Sequence, residues 1–274
     1  ATIYNFTSDY QKIDSTVYKS GDIFHTNYSI EPRIAAVFEL SSTSSVKAAY
    51  SHTAQYLHLV SNSTAGSPLD VWVPTSPNID PQTAKQASVG FFKNFPDKGL
   101  EASAEVYYKK MNDVVDFKDH AQLVLNPALD GELRIGDGKA YGLELMVKKT
   151  TGRLTGWLSY TLSKSERTIP EINNGKTYRS PADRPHSISL VATYEFSKRV
   201  TGSMLWLYSS GTPVTYPIGK YEFNGAYIPV YGDRNTSRMP SYACIKISLT
   251  LKGNTKPSRR WIGASKSPTH NIYG

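Results

Sequence analysis

Cysteine is almost missing from this chain: Cys244 stands alone in 274 residues. An internal disulfide framework or a cysteine-rich zinc site needs at least two thiols, so both are excluded. Long apolar runs are missing as well. No stretch approaches the roughly 18 to 20 consecutive apolar residues of a membrane-spanning helix, which removes the helical membrane proteins. Residues 1–12, ATIYNFTSDYQK, have no basic start, apolar core or small-residue cleavage site, and so do not read as a secretory leader. The chain also stops at Ile272-Tyr273-Gly274, partway through what reads as a new segment, and the expectation is a piece of a longer protein.

Metal and catalytic signatures are equally sparse. The six histidines, at 25, 52, 58, 120, 186 and 270, are dispersed, and no pair has the spacing of a zinc site. Asp116-Phe117-Lys118-Asp119-His120 gathers two carboxylates and an imidazole, but Lys118 opposes a cation there, and the segment reads as a solvated loop start. Gly136 to Gly142 resembles a phosphate loop only superficially, because a strand follows where the phosphate site needs a helix N-terminus. Ser44-Ser45-Val46-Lys47 matches the Ser-x-x-Lys pattern of acyl-enzyme hydrolases, yet it begins a strand and not a helix. No enzyme activity, cofactor or metal is expected.

What is abundant is tyrosine, 19 of them, together with a net charge of +8 and a period-2 pattern nearly everywhere. From Leu100 to Lys109, Leu100, Ala102, Ala104, Val106 and Tyr108 share one face and Glu101, Ser103, Glu105, Tyr107 and Lys109 the other. Such alternation recurs about nine or ten times, in segments of roughly the 9 to 11 residues a tilted strand needs to cross a bilayer. Globular strands average about 5 to 6. Connections alternate between short turns (Ser41 to Ser45, Pro96 to Gly99, Thr150 to Gly152, Ser197 to Arg199, Gly253 to Pro257) and long loops, roughly 57–84, 112–139, 166–184 and 211–239. In an up-and-down meander this puts every short turn on one rim and every long loop on the other, the layout of an outer-membrane barrel with periplasmic turns and extracellular loops.

Register supports the reading. Pairing Phe196 with Val200 aligns Tyr194 with Gly202, Ala192 with Met204, Leu190 with Trp206 and Ile188 with Tyr208 on one apolar face. The Pro96 turn sets Phe95 opposite Leu100, Lys93 opposite Ala102 and Phe91 opposite Ala104, with Lys93 as a rim residue whose stem can snorkel. A soluble β-sandwich or solenoid also alternates, but four loops of about 20 to 28 residues on one rim are unusual there. Many basic residues lie near the short turns: Lys93, Lys98, Lys148, Lys149, Arg153, Lys198, Arg199, Lys252, Lys256, Arg259 and Arg260. With Tyr50, Tyr108, Tyr160, Tyr194 and Tyr208 they read as an interface girdle meeting lipid headgroups, not as a nucleic-acid surface. The lumen face carries Arg33, Lys47 and Lys246 with Glu39, Glu101, Glu105 and Glu144, expected to form opposed-charge ladders.

Several motifs, in order, carry a family resemblance. Pro32 to Phe38 and Ser45 to Ser51 resemble the "PR-x-A-x-x-Y … S-x-K-x-x-Y" hairpin of TonB-dependent outer-membrane receptors. Ser76 to Gln82, Glu101 to Phe117, Ala140-Tyr141-Gly142-Leu143-Glu144, Gly156 to Tyr160 and Asp183-Arg184-Pro185-His186 are similar to successive segments of the same barrels. The resemblance covers about residues 30 to 252. It implies a barrel of about 22 strands in the outer membrane of a Gram-negative bacterium. An N-terminal plug would close it, driven by an inner-membrane energy-coupling complex, and the cargo would be a siderophore, cobalamin, saccharide or peptide.

Against that plan the chain has no plug, no energy-coupling box, about half the strands and no recognisable terminal aromatic. The expectation is therefore the C-terminal part of the barrel domain, with outer-membrane lipid, the missing plug and barrel half, and a small-molecule ligand as partners. A self-contained small porin or adhesin barrel and a soluble sugar-binding β-protein stand as alternatives, and a closing strand after Trp261 would favour the porin. Ligand contact is expected in the long loops at Trp72, Tyr178, Arg179, Tyr216, Tyr221 and Tyr227, where aromatics either stack on a ligand or pack the loops.

Overall fold

The computed structural model describes residues 2–5, 10–11, 17–19, 23–60, 71–76, 78–119, 121 and 129–253. Pro77, His120, His270, Lys256, Arg259, Arg260 and Trp261 lie outside the described residues, as do the far part of the Gly253 turn, the chain end and much of residues 1–12.

Nine long strands form one antiparallel sheet: β1 (Arg33–Ser41), β2 (Ser44–Gln55), β3 (Gln82–Phe95), β4 (Leu100–Phe117), β5 (Leu133–Lys149), β6 (Leu154–Thr168), β7 (His186–Ser197), β8 (Val200–Ser209) and β9 (Tyr242–Leu251). Each pairs with its neighbours in chain order, and Tyr178–Arg179 adds a short tenth strand beside the end of β6. The sheet is an open wall: among the described residues no strand pairs with the outer edge of β1 or β9. Thr2–Asn5 with Ile23–Asn27, and Tyr10–Gln11 with Val17–Tyr18, form separate small pairings. No helix among the described residues is long and apolar enough to cross a membrane, so any crossing is made by strands.

The alternating sequence becomes continuous rows across the sheet, because residues directly opposed in register share a face. One row runs Phe38, Val46, Phe91, Ala104, Leu145, Tyr160, Ile188, Tyr208, Ala243, with an apolar or aromatic residue on every strand. The adjacent row on the other face runs Val37, Lys47, Gly90, Glu105, Glu144, Thr161, Ser187, Ser209, Tyr242. Among the described residues no second sheet covers the apolar face: Phe38 is 69% exposed and Val106 53%. Such a band is unsustainable in water and natural in lipid, which disposes of the soluble sandwich.

The first four short turns fall where expected. At the second, Pro96 starts a single 3₁₀ turn and Gly99 ends it with φ 55°, donating its N–H to Pro96 O at 3.0 Å. The β7–β8 turn differs from expectation. Its register below Glu195 is as read, but Ser197 and not Phe196 opposes Val200. The reason is local: Ser197 Oγ accepts the N–H groups of Arg199 and Val200, both at 3.2 Å, which tightens the turn and leaves Phe196 in a bulge. The Phe196 ring then occupies the space a side chain on Gly202 would fill and meets Tyr194 edge-on at 4.9 Å.

The loop rim departs more. The expected 112–139 loop shrinks to 118–132 because β4 and β5 continue to Phe117 and Leu133. What sustains them beyond the membrane is a small core of Val115, Phe117 and Leu133 under Val60, Val73 and Ile79, brought over by the hairpin Leu57–Val60 and Val71–Pro74. Two of the five girdle tyrosines, Tyr50 and Tyr208, lie in the half of their strands nearer this rim; Tyr108 and Tyr160 lie near mid-strand, and Tyr194 is near a short turn. Lys93 does reach the turn rim, donating to Thr43 Oγ1 at 2.8 Å.

Candidate functional site

A bulge in β4 creates the centre of the loop rim. The β4–β5 register shifts between Met111 and Val114, with Asp113 at φ 57°, so one extra residue reverses the facing of everything beyond it. Below the bulge the even-numbered residues of β4 face lipid; above it Asp116 faces the polar side. There it is 3% exposed and fully engaged. Its Oδ2 accepts the Tyr178 hydroxyl at 2.8 Å and Arg167 Nη1 at 3.2 Å, and its Oδ1 accepts Arg234 Nη2 at 2.7 Å and the Phe117 N–H at 2.8 Å. Burial, reinforced by the adjacent Asp116 charge, pushes the Tyr178 phenol well above its ordinary value, so it stays a donor.

Arg234 extends the cluster outward. Its Nη1 donates to Phe117 O at 3.0 Å and Asp119 Oδ1 at 3.3 Å, its backbone N–H to Asn173 Oδ1 at 3.2 Å, and Asn173 N–H in turn to Asp119 Oδ2 at 3.3 Å. A second clamp joins Arg238 to the buried Asp183 carboxylate and to Gly211 O, while Asp183 Oδ1 accepts Ser165 N–H at 2.7 Å. Asn235 Nδ2 to Arg179 O at 2.7 Å, and Arg179 Nη1 to Thr236 O at 2.8 Å, close the seam. Three loops are thereby pinned to the ends of β4 and β6.

Between them lies a cavity of about 930 Å³, lined by Lys118, Asn173, Asn174, Thr215, Ile218 and Arg234 among others. Cationic and amide donors beside aliphatic surface suit a compact, oxygen-rich ligand with apolar parts.

None of the six loop residues singled out in the sequence lines this cavity. Tyr178 is 4% exposed and packed among the loops. Arg179 is half-buried in the seam. Trp72, Tyr216, Tyr221 and Tyr227 are exposed; Tyr216 OH meets Met239 Sδ at 3.3 Å, and Tyr221 and Tyr227 stand on the projecting hairpin Pro217–Phe223 and Ala226–Tyr231. The Asp116 segment, expected to be solvated, is instead the buried anchor. A bulge and a residue 118 positions away decide that, and neither leaves a local sequence signal.

The seven lumen charges, Arg33, Glu39, Lys47, Glu101, Glu105, Glu144 and Lys246, all fall on the polar face. The expected ladders do not form. Glu101 pairs across strands with Lys148 at 3.5 Å, and Arg33 pairs with Glu31 at 3.6 Å. Among the described residues the other five form no ion pair; Lys47 sits over the Phe92 ring at 4.3 Å, and Glu105 directly opposes Glu144. Of the seven, only Glu101 has an unlike charge directly opposed to it in register.

Comparison with known proteins follows the same lines. The family model for the TonB dependent receptor-like β-barrel matches residues 4–257. No curated protein matches the chain. Among solved structures, the chain is similar to the ferric-catecholate import receptor Fiu of E. coli K12, at 15% identity and TM-score 0.52, covering 81% of this chain and 28% of that one. It is also similar to the FrpB iron transporter of Neisseria meningitidis (13%, TM-score 0.52, covering 89% and 34%). A third is the ferripyoverdine receptor of the Pseudomonas aeruginosa outer membrane (14%, TM-score 0.56, covering 86% and 28%). The chain thus spans about a third or less of the length of these receptors.

Proposed function

The chain belongs to the TonB-dependent receptor-like β-barrel family, and from that premise we propose that it is the C-terminal portion of the barrel wall of a ligand-gated, energy-coupled importer. The family resides in the outer membrane of Gram-negative bacteria, and its solved members here are transport receptors, not enzymes. In the whole receptor the apolar face meets outer-membrane lipid, and the polar face meets a plug that relays energy from the inner membrane. The observation that most supports this reading is the recess at the loop rim, polar, roomy and held on the polar side of the wall by Asp116 and Arg234.

The similar structures are titled for a ferric-catecholate receptor, an iron transporter and a ferripyoverdine receptor, so a ferric chelate is the first cargo class to test. Cobalamin, saccharides and peptides follow. The full-length receptor is expressed in a strain stripped of its own siderophore receptors, and uptake of radiolabelled iron from catecholate and hydroxamate chelates is measured beside labelled cobalamin, maltooligosaccharide and oligopeptide. Saturable uptake that stops when the proton gradient is collapsed is expected. Ile218→Glu, at an exposed position on the recess wall, should weaken apparent affinity for an anionic chelate about tenfold. Uptake of none of these compounds, or uptake indifferent to the proton gradient, overturns the importer reading.

A further inference from the structure

The outward face carries a lateral row of lysines one step above its tyrosines. The tyrosine row runs Tyr50, Ala87, Tyr108, Tyr141, Lys164 across β2 to β6, with Tyr108 and Tyr141 stacked at 6.4 Å. The next row towards the loops runs His52, Lys85, Lys110, Lys139, Glu166. Tyr108 lies about nine residues from the short turn before β4, close to the length with which a tilted strand crosses the hydrocarbon layer. Outward tyrosines at that height mark the headgroup level, and the lysines therefore sit among headgroups.

Register makes the row unusual. Lys85, Lys110 and Lys139 are directly opposed on three adjacent strands about 4.8 Å apart, and like charges directly opposed are unfavourable. Glu166 engages Lys139 at 3.3 Å and Lys164 at 2.6 Å, whereas Lys85 and Lys110 are exposed and have no ion pair among the described residues. Asp80, Asp113 and Asp137 form a separate acidic group further towards the loops, near enough to one another to raise the Asp113 carboxyl, after burial as the larger cause.

We propose that this row is a binding site for the phosphate groups of an outer-leaflet lipid headgroup, with Lys85 and Lys110 as the primary ligands and Lys139 and Lys164 flanking them. One phosphate, with several acceptor oxygens, can bridge two adjacent ammonium groups and remove the repulsion that the register creates. The apolar band directly beneath supplies the acyl-chain contact, so the occupant is a lipid and not free phosphate. The proposal rests on the outer-membrane reading of the wall.

The test uses the full-length receptor in phosphatidylcholine nanodiscs doped with a fluorescent bis-phosphorylated glucosamine lipid or its dephosphorylated counterpart. Energy transfer from the receptor's tryptophans reports association. Wild type should prefer the phosphorylated lipid, and K85Q/K110Q should weaken that association about 30-fold, at about fivefold per lysine near a charged membrane surface. K85R/K110R should retain it, and K98Q/K198Q, at the short-turn rim, should leave it unchanged. Equal association with both lipids, an unaltered K85Q/K110Q variant, or displacement of the lipid by millimolar inorganic phosphate overturns the proposal. Should K85Q/K110Q fail to fold, the lipid pair and the phosphate competition still decide the matter on wild type. A receptor that does not enter nanodiscs at all would instead overturn the membrane reading, so the two failures are distinguishable.

Discussion

At the scale of the residue, Asp116 shows how a charge survives burial: two guanidinium groups, a phenol and a backbone N–H take all its acceptor capacity. Removing it leaves Arg167 partly buried without its carboxylate and Arg234 with Asp119 as its one remaining carboxylate, at a cost of about 3 kcal/mol. Asp116→Ala should therefore speed proteolysis within residues 210–241 of the full-length receptor while leaving the sheet's melting unchanged; equal cleavage of variant and wild type would refute the anchor role. His58 carries a pH dependence. It is 3% exposed, and burial pushes its imidazole below the ordinary 6.5. A base with a depressed folded pKa is buried neutral, so its contribution is present above 6.5 and lost as pH falls through the lower folded value. Hydrogen exchange in Leu57–Val60, corrected for intrinsic rates, should rise as the pH falls below the ordinary imidazole value of 6.5. His58→Leu should remove that rise.

At the scale of the element, the bulge at Asp113 is what makes one strand serve two environments. Below it the even-numbered side chains of β4 meet lipid; above it Asp116 turns to the lumen side and Phe117 enters the small core under the hairpin. Asp113→Val, a β-branched residue strained at the left-handed φ of 57°, should disfavour the bulge, restore the simple alternation, turn Asp116 outward and open the seam. Exchange at residues 233–238 should then match that of Asp116→Ala; preserved protection there would show that the bulge does not aim Asp116. Strand positions and registers were legible because period-2 alternation and turn chemistry are local properties. The bulge was not, since Asn112-Asp113 looks like a loop start and only tertiary packing over Val115 and Phe117 keeps the strand going. Phe196 was misplaced for a related reason: Ser197 supplies hydrogen bonds that alternation does not encode.

At the scale of the whole molecule, the apolar face has no protein cover among the described residues, and lipid supplies it. Leu190 lies in a row with Leu158, Trp206 and Ile245, whereas Ser189 lies opposite Ser159 and Leu207 on the polar face. Leu190→Arg should impair insertion of the full-length receptor into lipid vesicles by about 2 to 4 kcal/mol, and Ser189→Arg should be tolerated. Gel migration of heated and unheated samples separates folded from unfolded receptor, and equal losses would show the faces to be wrongly assigned. The Lys85 and Lys110 row belongs to this scale too, because it exists only once three strands are laid side by side.

Alternation, turn residues and strand length, all carried by neighbouring residues, determined an antiparallel wall with one lipid face, one polar face, short turns on one rim and long loops on the other. Tertiary structure alone decided which loop residues close on one another. Asp116 finds Arg234, Asp183 finds Arg238 and Tyr178 becomes interior because strands brought into register place distant loops over the same end of the sheet. Local sequence sets which face a side chain takes; which partner it meets across the rim depends on a closure that no stretch of sequence contains.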